Sequence, residues 1–223
     1  MNNMLAVGDC IMLGVEECLD NSYPEKIATA LGGKVKNCGT PMCTSREGRT
    51  LLNDNLSDAY DCIFLQFGLA DAYFTFTYAP YVLYYPDNFF RKQVRSIVKK
   101  YKKICRKSGL SKRLGESQVV PQDEYRANFL QMIEQCGERT IIIPETIPNQ
   151  ETYRNEALQR YNAELKMIAD SKSNCHLISL FDDFLPHFSD FYLDIGHPNA
   201  AGYQYIAEKM LNYIQDHQLA NQP

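Results

Sequence analysis

Three side chains, one near the start of the chain and two near its end, have the types and spacing of a nucleophile with its base. Cys10 follows an apolar run of strand length and a Gly-Asp turn, by which a sheet can present a reactive side chain at its carboxyl edge. Asp194 and His197 lie three residues apart in a loop that contains glycine and proline. This spacing lets the carboxylate hold the imidazole through Nδ1–H and leaves Nε2 free to accept a proton. The three residues therefore indicate nucleophilic chemistry by a thiol.

The surroundings of Cys10 leave three interpretations of this thiol open. As a nucleophile, it would face the first N–H groups of the following helix, and these groups are expected to lower the thiol pKa. As a buried structural residue, it would simply fill space in the core. As a redox-sensing thiol, it would need a resolving partner, for which Cys43 in a neighbouring loop is the candidate.

The elements that position these residues are predicted from apolar runs that alternate with helical patterns. A chain of 223 residues with 45% apolar and 22% charged residues has an ordinary globular composition, and we expect one α/β domain over residues 1–223. Strands are expected near residues 4–8, 34–38, 61–67, 139–143 and 176–179. Helices are expected near residues 24–31, 45–52, from 88 onward, 121–136, 153–170 and through 206–214. This alternation predicts a parallel sheet that is covered by helices on both faces.

Several functional classes are not expected from the composition. The sequence has no run of about 18 apolar residues, and its polar start lacks the features of a signal peptide, so we expect a cytoplasmic protein without a transmembrane segment. The eight cysteines are scattered and form no C-x-x-C pair, which favours reduced thiols and no zinc site. Neither a metal nor another cofactor is therefore expected.

An aromatic segment spans residues 73–86, directly after the third predicted strand, where open α/β sheets place their ligand sites. Its rings either cover the carboxyl edge of the sheet and pack on one another, or form a platform for sugar rings or a slot for an acyl chain. In the second interpretation, the platform residues are Tyr73, Phe74, Phe76 and Tyr78. The segment belongs to an aromatic and basic insertion at about residues 72–120.

A basic segment follows at residues 91–113, where eleven lysines and arginines occur without an acidic residue, although the net charge of the chain is −4. A long helix is predicted from Asn88, with the basic residues on one face and apolar residues on the other, namely Phe90, Val94, Ile97, Val98, Tyr101 and Ile104. Such a basic face is either solvated or meets an anionic partner, such as a phosphorylated or acidic glycan, a nucleotide sugar or a membrane surface. Nucleic acid is not expected, because no nucleic-acid-binding motif accompanies the charges. Residues 109–120 are expected to form a polar linker.

Four short motifs, in this order, resemble the SGNH hydrolases, also called the GDSL esterase family. Gly8-Asp9-Cys10 takes the place of that family's Gly-Asp-Ser, and residues 37–45 with Gly48 resemble its second block. Residues 68–71, Gly-Leu-Ala-Asp, resemble its Gly-x-Asn-Asp block, and residues 194–197, Asp-Ile-Gly-His, match its last block. The resemblance implies a three-layer α/β/α, flavodoxin-like fold with a five-stranded parallel sheet and a metal-independent triad. It also implies ester hydrolysis or acyl transfer, often on carbohydrates or lipids.

The resemblance assigns a role to each residue of the triad. Cys10 takes the place of the nucleophilic serine, His197 acts as the general base and then as the acid, and Asp194 orients the imidazole. A thiol becomes a competent acyl acceptor once a histidine takes its proton. The replacement of serine by cysteine is therefore compatible with the family's chemistry.

The oxyanion hole implied by the resemblance is altered. The family takes donors from the nucleophile's own N–H, from a glycine N–H in the second block and from an asparagine side chain in the third. These positions are Cys10, Met42 and Ala70 here. Ala70 supplies no side-chain donor, and the loss of one such donor typically costs about 3 kcal/mol. Gln66 or a hydroxyl group of the aromatic segment is the candidate replacement.

Together, these observations predict an acyl-ester hydrolase or acyltransferase that acts on an acylated saccharide or a similar polar ester through a Cys-His-Asp triad. Asp9, Gly68 and Asp71 are expected to support the surrounding loops, and Asp71 is interpreted as a hydrogen-bonding residue rather than a catalyst. The alternative is a catalytically weak or inactive protein of the same fold. Such a protein would bind an anionic glycan or a protein partner through residues 73–86 and the basic helix.

Overall fold

A central sheet of five parallel strands organises the computed structural model, which describes residues 1–221. The strands of the molecule are β1 (Asn3–Gly8), β2 (Lys34–Asn37), β3 (Cys62–Gln66), β4 (Phe74–Phe76), β5 (Glu116–Gln118), β6 (Thr140–Pro144) and β7 (Cys175–Ile178). The central sheet has the order β2-β1-β3-β6-β7, and β4 pairs with β5 in a separate antiparallel ribbon. The five-stranded parallel sheet expected from the sequence is confirmed.

Ten α-helices connect and cover the strands in the described part of the chain. They are α1 (Cys10–Leu13), α2 (Tyr23–Ala30), α3 (Ser45–Asn55), α4 (Phe89–Lys107), α5 (Leu110–Leu114), α6 (Gln122–Cys136), α7 (Asn155–Asp170), α8 (Phe181–Phe184), α9 (Phe188–Phe191) and α10 (Ala200–Asp216). Short 3-10 turns lie at Glu16–Cys18, Thr152–Arg154, Leu185–His187 and Leu219–Asn221. Side-chain caps mark several helix starts, because Thr44, Asn88 and Asn199 each accept a hydrogen bond from the first turn that follows.

Helices cover the sheet on both faces and so give three layers. On one face, strand residues such as Leu5 and Ile63 share a buried cluster with residues of α3, α6 and α7. On the other face, the intervening residues, such as Met4 and Phe64, share a cluster with residues of α2 and α10. Because successive strand residues point to opposite faces, a strand covered on both faces must be apolar along its length. This explains the unbroken apolar run at residues 62–65.

Residues 109–120 do not form the polar linker expected from their composition. They contain α5 and β5, and β5 pairs with β4 so that Glu116 lies opposite Phe76. The chain then returns to the sheet edge, where the Val120 N–H donates to the Asp71 carbonyl oxygen at 3.1 Å. The prediction was wrong because the pairing partner of β5 is distant in the sequence, and strand formation depends on such a partner more than on local propensity.

The face of helix α4 that lies against the aromatic segment carries basic residues. Most of its apolar stripe is exposed instead. Five of the six apolar residues expected on one face are 44 to 79% exposed, namely Phe90, Val94, Ile97, Tyr101 and Ile104. Arg95, Lys99 and Lys102 instead line a cavity together with rings of the aromatic segment. The helix itself was predicted correctly. Its orientation could not be predicted, because periodicity identifies a face but not the surface that packs against it.

Two further observations concern the whole described chain. No helix within residues 1–221 has both the length and the apolar character needed to span a lipid bilayer. All eight cysteines are free thiols, of which Cys10 and Cys38 are partly exposed and the other six are buried. Cys10 is the partly exposed thiol that begins a helix, at the carboxyl end of β1.

Candidate active site

Strand β1 delivers Cys10 to the carboxyl edge of the sheet, where the chain passes directly into α1. Gly8 is required there, because a Cβ atom at this position would lie 2.5 Å from the Gln66 carbonyl oxygen of β3. Asp9 caps α1: its Oδ1 atom accepts a hydrogen bond from the Ile11 N–H at 2.9 Å, and its own N–H donates to Gln66 O at 3.1 Å. Cys10 is thereby fixed at the first position of the helix.

The loop before α10 brings a histidine to the same edge. The Nε2 atom of His197 lies 3.2 Å from the Sγ atom of Cys10. On the other side of the ring, Nδ1 lies 2.8 Å from Oδ2 of Asp194. Asp194 is itself held in place, since the backbone N–H groups of Gly196 and His197 both donate to its Oδ1 atom at 2.8 Å. The fold thus joins the three residues that the sequence singled out for nucleophilic chemistry.

Asp194 is suited to fix the imidazole and to stabilise a positive charge on it. Partial burial raises the pKa of its carboxyl group, but the Gly196 N–H, the His197 ring and the His197 N–H outweigh this effect and bring the pKa below its usual value. The group is therefore an ionised acceptor at neutral pH. An ionised carboxylate can only accept, so Nδ1 carries the ring proton and Nε2 faces Cys10 as a base.

The Cys10 thiol is not a preformed thiolate. Burial raises its pKa well above the usual value, and the charge of Asp9 raises it further. The N–H groups of Met42 and of Cys10 itself oppose the rise only in part. The expectation that the start of a helix lowers this pKa is wrong, because desolvation outweighs the N–H groups. A neutral thiol needs a base at the moment of attack, and His197 lies within hydrogen-bond reach for that role.

Asp9, the neighbour of Cys10, has a carboxyl group in an unusual state. It is 1% exposed, and burial raises its pKa to about 7, with a contribution from the charge of Asp71 and opposition from the Ile11 N–H. Its Oδ2 atom has no hydrogen-bond partner among the described residues. Asp9 is therefore partly ionised at neutral pH, and its charge acts directly on the Cys10 thiol.

The loop after β2 places the Met42 N–H against the Cys10 sulfur. This loop is tied to the end of β1, where the Thr40 N–H donates to the Gly8 carbonyl oxygen at 3.0 Å. Met42 has a φ angle of 62°, in the left-handed region that favours glycine. A non-glycine residue is therefore held in a glycine-like conformation, and its N–H stands beside the Cys10 N–H as a second donor near the sulfur.

The loop after β3 contains Ala70, whose side chain cannot add a third donor to the two backbone N–H groups of Cys10 and Met42. Gly68 begins this loop with a φ angle of 144°, and a Cβ atom there would lie 2.2 Å from Thr146 Oγ1, so only glycine fits. Asp71 is fully buried and accepts a hydrogen bond from the Ser45 N–H at 2.9 Å. Burial raises the pKa of Asp71 to about 7, although the Ser45 groups oppose the rise. The contact ties the loop to the start of α3.

The two candidate replacements for the missing donor differ in position. Gln66 is 1% exposed, and its Oε1 atom accepts a hydrogen bond from the Tyr23 hydroxyl at 2.9 Å within the core. Tyr73 instead lines a cavity that also borders Ala70. Burial raises the pKa of the Tyr73 phenol, and ionisation of Cys10 would raise it further, which indicates that the Tyr73 hydroxyl lies near the thiol. Tyr73 is therefore the better placed of the two.

The cavity has a volume of about 200 Å³ and extends from the loops around Cys10 to α4. Its lining includes Met42 and Ala70 from the loops after β2 and β3, Tyr81 and Tyr84 from the aromatic segment, and Lys102 from α4. It thus lies between the two altered oxyanion positions and the basic helix. Cys10, Asp194 and His197 do not line this cavity themselves, so it adjoins the triad through the Met42 and Ala70 loops. A mostly apolar cavity with a few polar groups is the usual form of a small-molecule site.

The aromatic residues expected to form a platform lie in different environments. Tyr73 lines the cavity, and Phe74 is half-buried and stacks on a tyrosine of the loop before α7. Phe76 is only 3% exposed, so its ring is not available to a ligand. Tyr78 is 93% exposed and does not line the cavity. Of the four residues, only Tyr73 therefore lines the cavity, where Tyr81 and Tyr84 of the same segment are the other rings.

Glu47 shapes this aromatic wall and was not singled out in the sequence. Its carboxylate is fully buried, and Oε2 accepts a hydrogen bond from the Thr44 N–H at 3.0 Å. Its Oε1 atom accepts from the Tyr81 hydroxyl at 2.8 Å and from the Tyr84 N–H at 2.7 Å. The Thr44-x-x-Glu47 pattern is the capping box of α3 and was recognisable in the sequence. Its second use, as an anchor for the aromatic segment, depends on the fold.

The arrangement combines a neutral thiol, an oriented imidazole base, two backbone donors and an adjacent cavity. These are the parts that acyl transfer to a thiol requires. Within residues 1–221, no group of three or more His, Cys, Asp and Glu side chains is arranged to hold a metal ion.

Comparison with known proteins identifies the family to which this fold and site belong. A model of the GDSL-like lipase/acylhydrolase family matches residues 6–205. The chain belongs to this family. The matched region extends from β1 into α10 and so contains Cys10, Asp194 and His197. A search of curated protein sequences gives no match to this GDSL-like chain.

Solved structures with the same fold align with almost the whole GDSL-like chain. A lipase/acylhydrolase from Enterococcus faecalis has 16% sequence identity and a TM-score of 0.67, and the alignment covers 97% of each chain. A lipolytic G-D-S-L family member from Veillonella parvula has 15% identity and a TM-score of 0.67, with 96% of this chain and 99% of that chain covered. An acetylxylan esterase from Geobacillus stearothermophilus has 17% identity and a TM-score of 0.64, with 96% and 94% covered. At these identities the similarity shows the fold.

Proposed function

We propose that this protein cleaves or transfers an acyl ester through a covalent acyl-Cys10 intermediate. The observation that carries the proposal is the line of contacts from Cys10 Sγ to His197 Nε2 at 3.2 Å, and from His197 Nδ1 to Asp194 Oδ2 at 2.8 Å. A thiol, a base and an orienting carboxylate in this sequence form a nucleophile with its proton acceptor. Membership of the GDSL-like lipase/acylhydrolase family supports ester chemistry.

Acylation of Cys10 begins when the sulfur attacks the ester carbonyl carbon and the thiol proton passes to His197 Nε2. The carbonyl oxygen gains negative charge, and the N–H groups of Cys10 and Met42 stabilise it. The carbon–oxygen bond to the alcohol then breaks, and the proton on Nε2 moves to the leaving oxygen. Asp194 stabilises the imidazolium that exists between these two proton transfers.

Deacylation repeats the same steps with an oxygen nucleophile. Water attacks the thioester carbonyl while His197 takes one of its protons, and the carbon–sulfur bond then breaks as that proton returns to Sγ. The products are a carboxylic acid and the free thiol. If a sugar hydroxyl attacks instead of water, the same sequence transfers the acyl group to a new ester.

A third donor for the oxyanion comes from Tyr73 in this proposal. Ala70 has no donor in its side chain, whereas Tyr73 lines the cavity that Ala70 borders. The Tyr73 hydroxyl makes no hydrogen bond to another described residue, so it is free to donate to a bound substrate. We assign the lost asparagine function to this hydroxyl.

An acylated saccharide is the substrate class that we propose. The acetylxylan esterase among the structural neighbours is named for an acetylated sugar polymer. The cavity beside Cys10 has the rings of Tyr81 and Tyr84 in its walls, and aromatic faces suit the apolar faces of sugar rings and acyl groups. Residues 72–120 are proposed to be the insertion that adds this cavity to a single hydrolase domain.

A second candidate, a binding protein with a weakened triad, is favoured by two observations. Ala70 removes a donor from the oxyanion hole, and burial keeps the Cys10 thiol protonated. In this case the cavity would bind an anionic glycan or a protein segment without cleaving it. Binding that survives both Cys10→Ala and His197→Ala, with no turnover in the parent protein, would support this candidate.

The test of the proposed function is acetate release from acetylated xylo-oligosaccharides. The parent protein, Cys10→Ala and His197→Ala are compared at equal concentration, and each variant is checked by thermal denaturation for an intact fold. Acetate release by the parent that is lost in both variants supports the proposal. Release at the same rate by Cys10→Ala, or none from the parent with any acetylated sugar, would contradict it.

A further inference from the structure

The cavity beside Cys10 has a cationic wall for which the ester chemistry alone gives no reason. We propose that this wall binds a phosphate or carboxylate group carried by the substrate, so that the substrate is a small ester with an anionic group. The statement that the anionic group belongs to a substrate rests on the proposed function, whereas anion binding by the cavity is tested separately below.

Three cations of α4 line the cavity without a carboxylate partner. Lys99, Lys102 and Arg106 follow one another at spacings of three and four residues, which places them on one face of the helix. Among residues 1–221, none of the three forms an ion pair, whereas Arg95 in the same wall is bound to Asp87. The three charges are thus available to a ligand.

Lys102 and Arg106 lie close enough to repel one another. Lys102 is half-buried, and burial, followed by the charges of Arg106 and Arg46, lowers the pKa of its ammonium group. Arg46 is already paired with Glu124 and stacks over the Tyr81 ring at 5.2 Å from the centroid. A bound anion would relieve the repulsion that remains, and its contact with Lys102 would be strengthened because that side chain is half-buried, whereas Lys99 and Arg106 are exposed.

The position of the wall links the anion to the reacting ester. Met42 and Ala70 border the same cavity that Lys99, Lys102 and Arg106 line. Cys10 does not itself line the cavity, but the Met42 N–H contacts its thiol, so a ligand that fills the cavity joins the loops beside Cys10 to the cations of α4. Apolar residues such as Val98 and Val119 also line the cavity, so its walls can accept an apolar part of the ligand as well.

The shape favours a small ester over a polyanionic chain. The cationic side chains face a cavity of about 200 Å³ that is bordered by the aromatic segment, and that segment is anchored by two hydrogen bonds to buried Glu47. A cavity of this volume admits one compact group. A long acidic polymer would instead use the exposed lysines of α4 that do not line the cavity, such as Lys100 and Lys103.

The test compares two esters that differ in one charge. The first is the mono-4-nitrophenyl ester of glutaric acid, which keeps a free carboxylate, and the second is its neutral methyl ester. Their kcat/KM values are measured for the parent, for Lys99→Gln/Lys102→Gln and for the matched control Lys100→Gln/Lys103→Gln. Cys10→Ala supplies the background rate of each ester. Calorimetric titration with phenyl phosphate measures anion binding without catalysis in the same three proteins.

The proposal predicts a preference of about tenfold or more for the charged ester in the parent and in the control. In Lys99→Gln/Lys102→Gln this ratio falls close to one, and phenyl phosphate binding weakens by a similar factor. Equal use of both esters by the parent, with phenyl phosphate binding that is the same in all three proteins, would overturn the anion site and leave the proposed function intact. Phenyl phosphate binding that is lost only in the cavity variant, with neither ester cleaved, would support the anion site and count against the proposed function.

Discussion

The Nε2 atom of His197 lies 3.2 Å from the Sγ atom of Cys10, although the two residues are separated by almost the whole chain. Cys10 is placed by the end of β1, and His197 by the loop that leads into α10. That loop is closed by a hydrogen bond from the Leu193 N–H to the His197 carbonyl oxygen at 2.9 Å. The contact therefore depends on the packing of α10 against the sheet, and the predictions below concern the groups that surround it.

Asp194→Asn is expected to lower kcat/KM for an acetyl ester by about a hundredfold or more. An asparagine in this place can donate a hydrogen bond to Nδ1, which favours the wrong tautomer and removes the charge that stabilises the imidazolium. The matched control is Asp190→Asn, because Asp190 lies 3.5 Å from the ring of His187 at the same three-residue spacing. Equal activity of Asp194→Asn and the control would show that Asp194 does not act through His197.

Asp9→Asn is expected to have a higher free energy of unfolding than the parent, and this difference is expected to grow as the pH rises from about 4 to 7. The pKa of Asp9 is about 7 in the folded protein, against about 3.9 in an unfolded chain, so the folded state binds the proton more tightly. Raising the pH through this window therefore favours unfolding of the parent, by a few kcal/mol at most, and the loss is complete above pH 7. Urea unfolding at both ends of the window measures it.

The control for the change of net charge is Asp20→Asn, at an exposed turn. The free energy of unfolding of Asp9→Asn should exceed that of the parent by more at pH 7.5 than at pH 4.5, and Asp20→Asn should show no such trend. Asp9→Asn should also speed alkylation of Cys10 at alkaline pH, because the Asp9 charge raises the thiol pKa. A constant stability difference across the pH range would contradict the raised pKa of Asp9.

Ala70→Asn is expected to increase kcat for ester hydrolysis by about tenfold or more. Ala70 borders the cavity, so an asparagine amide has room to reach the oxyanion and to add a donor. Ala70→Leu is the control, because leucine has the same branching and number of side-chain heavy atoms as asparagine but no donor. If both variants change kcat alike, the loop after β3 does not contribute to the oxyanion hole.

Tyr73→Phe is expected to lower kcat by about tenfold with a smaller change in KM, because the proposed hydroxyl donor acts mainly in the transition state. Tyr78→Phe is the matched control, since the Tyr78 side chain is 93% exposed and does not line the cavity. In the Ala70→Asn background the effect of Tyr73→Phe should be smaller, because the new amide replaces the hydroxyl. An unchanged kcat in Tyr73→Phe would remove Tyr73 from the oxyanion hole.

Local sequence patterns were sufficient to predict most of the fold. The strand at residues 61–67 was recognisable because a strand buried on both faces must be apolar throughout, and the helix at residues 121–136 because its apolar periodicity begins at a proline. The contact between Asp194 and His197 could also be predicted, because the two residues are only three positions apart in a tight loop.

Features that depend on distant contacts could not be predicted. The strand β5 forms because it pairs with β4, whereas the polar composition of its residues predicts a linker. The outward direction of the apolar stripe of α4, which includes Ile97, depends on what covers the other face of the helix. The raised pKa of Cys10 could not be inferred either, because it arises from burial, whereas the sequence shows only the start of a helix.

The central claim is that Cys10 becomes acylated during turnover, and acid-quenched mass spectrometry with 4-nitrophenyl acetate tests it most directly. The protein is mixed with the ester, quenched during steady state, weighed intact and mapped by peptides. The account predicts one acetyl group on Cys10 of the parent, none at that position in Cys10→Ala, and formation slowed by about a hundredfold or more in His197→Ala. An unmodified Cys10 during turnover, together with undiminished 4-nitrophenolate release by Cys10→Ala, would contradict it.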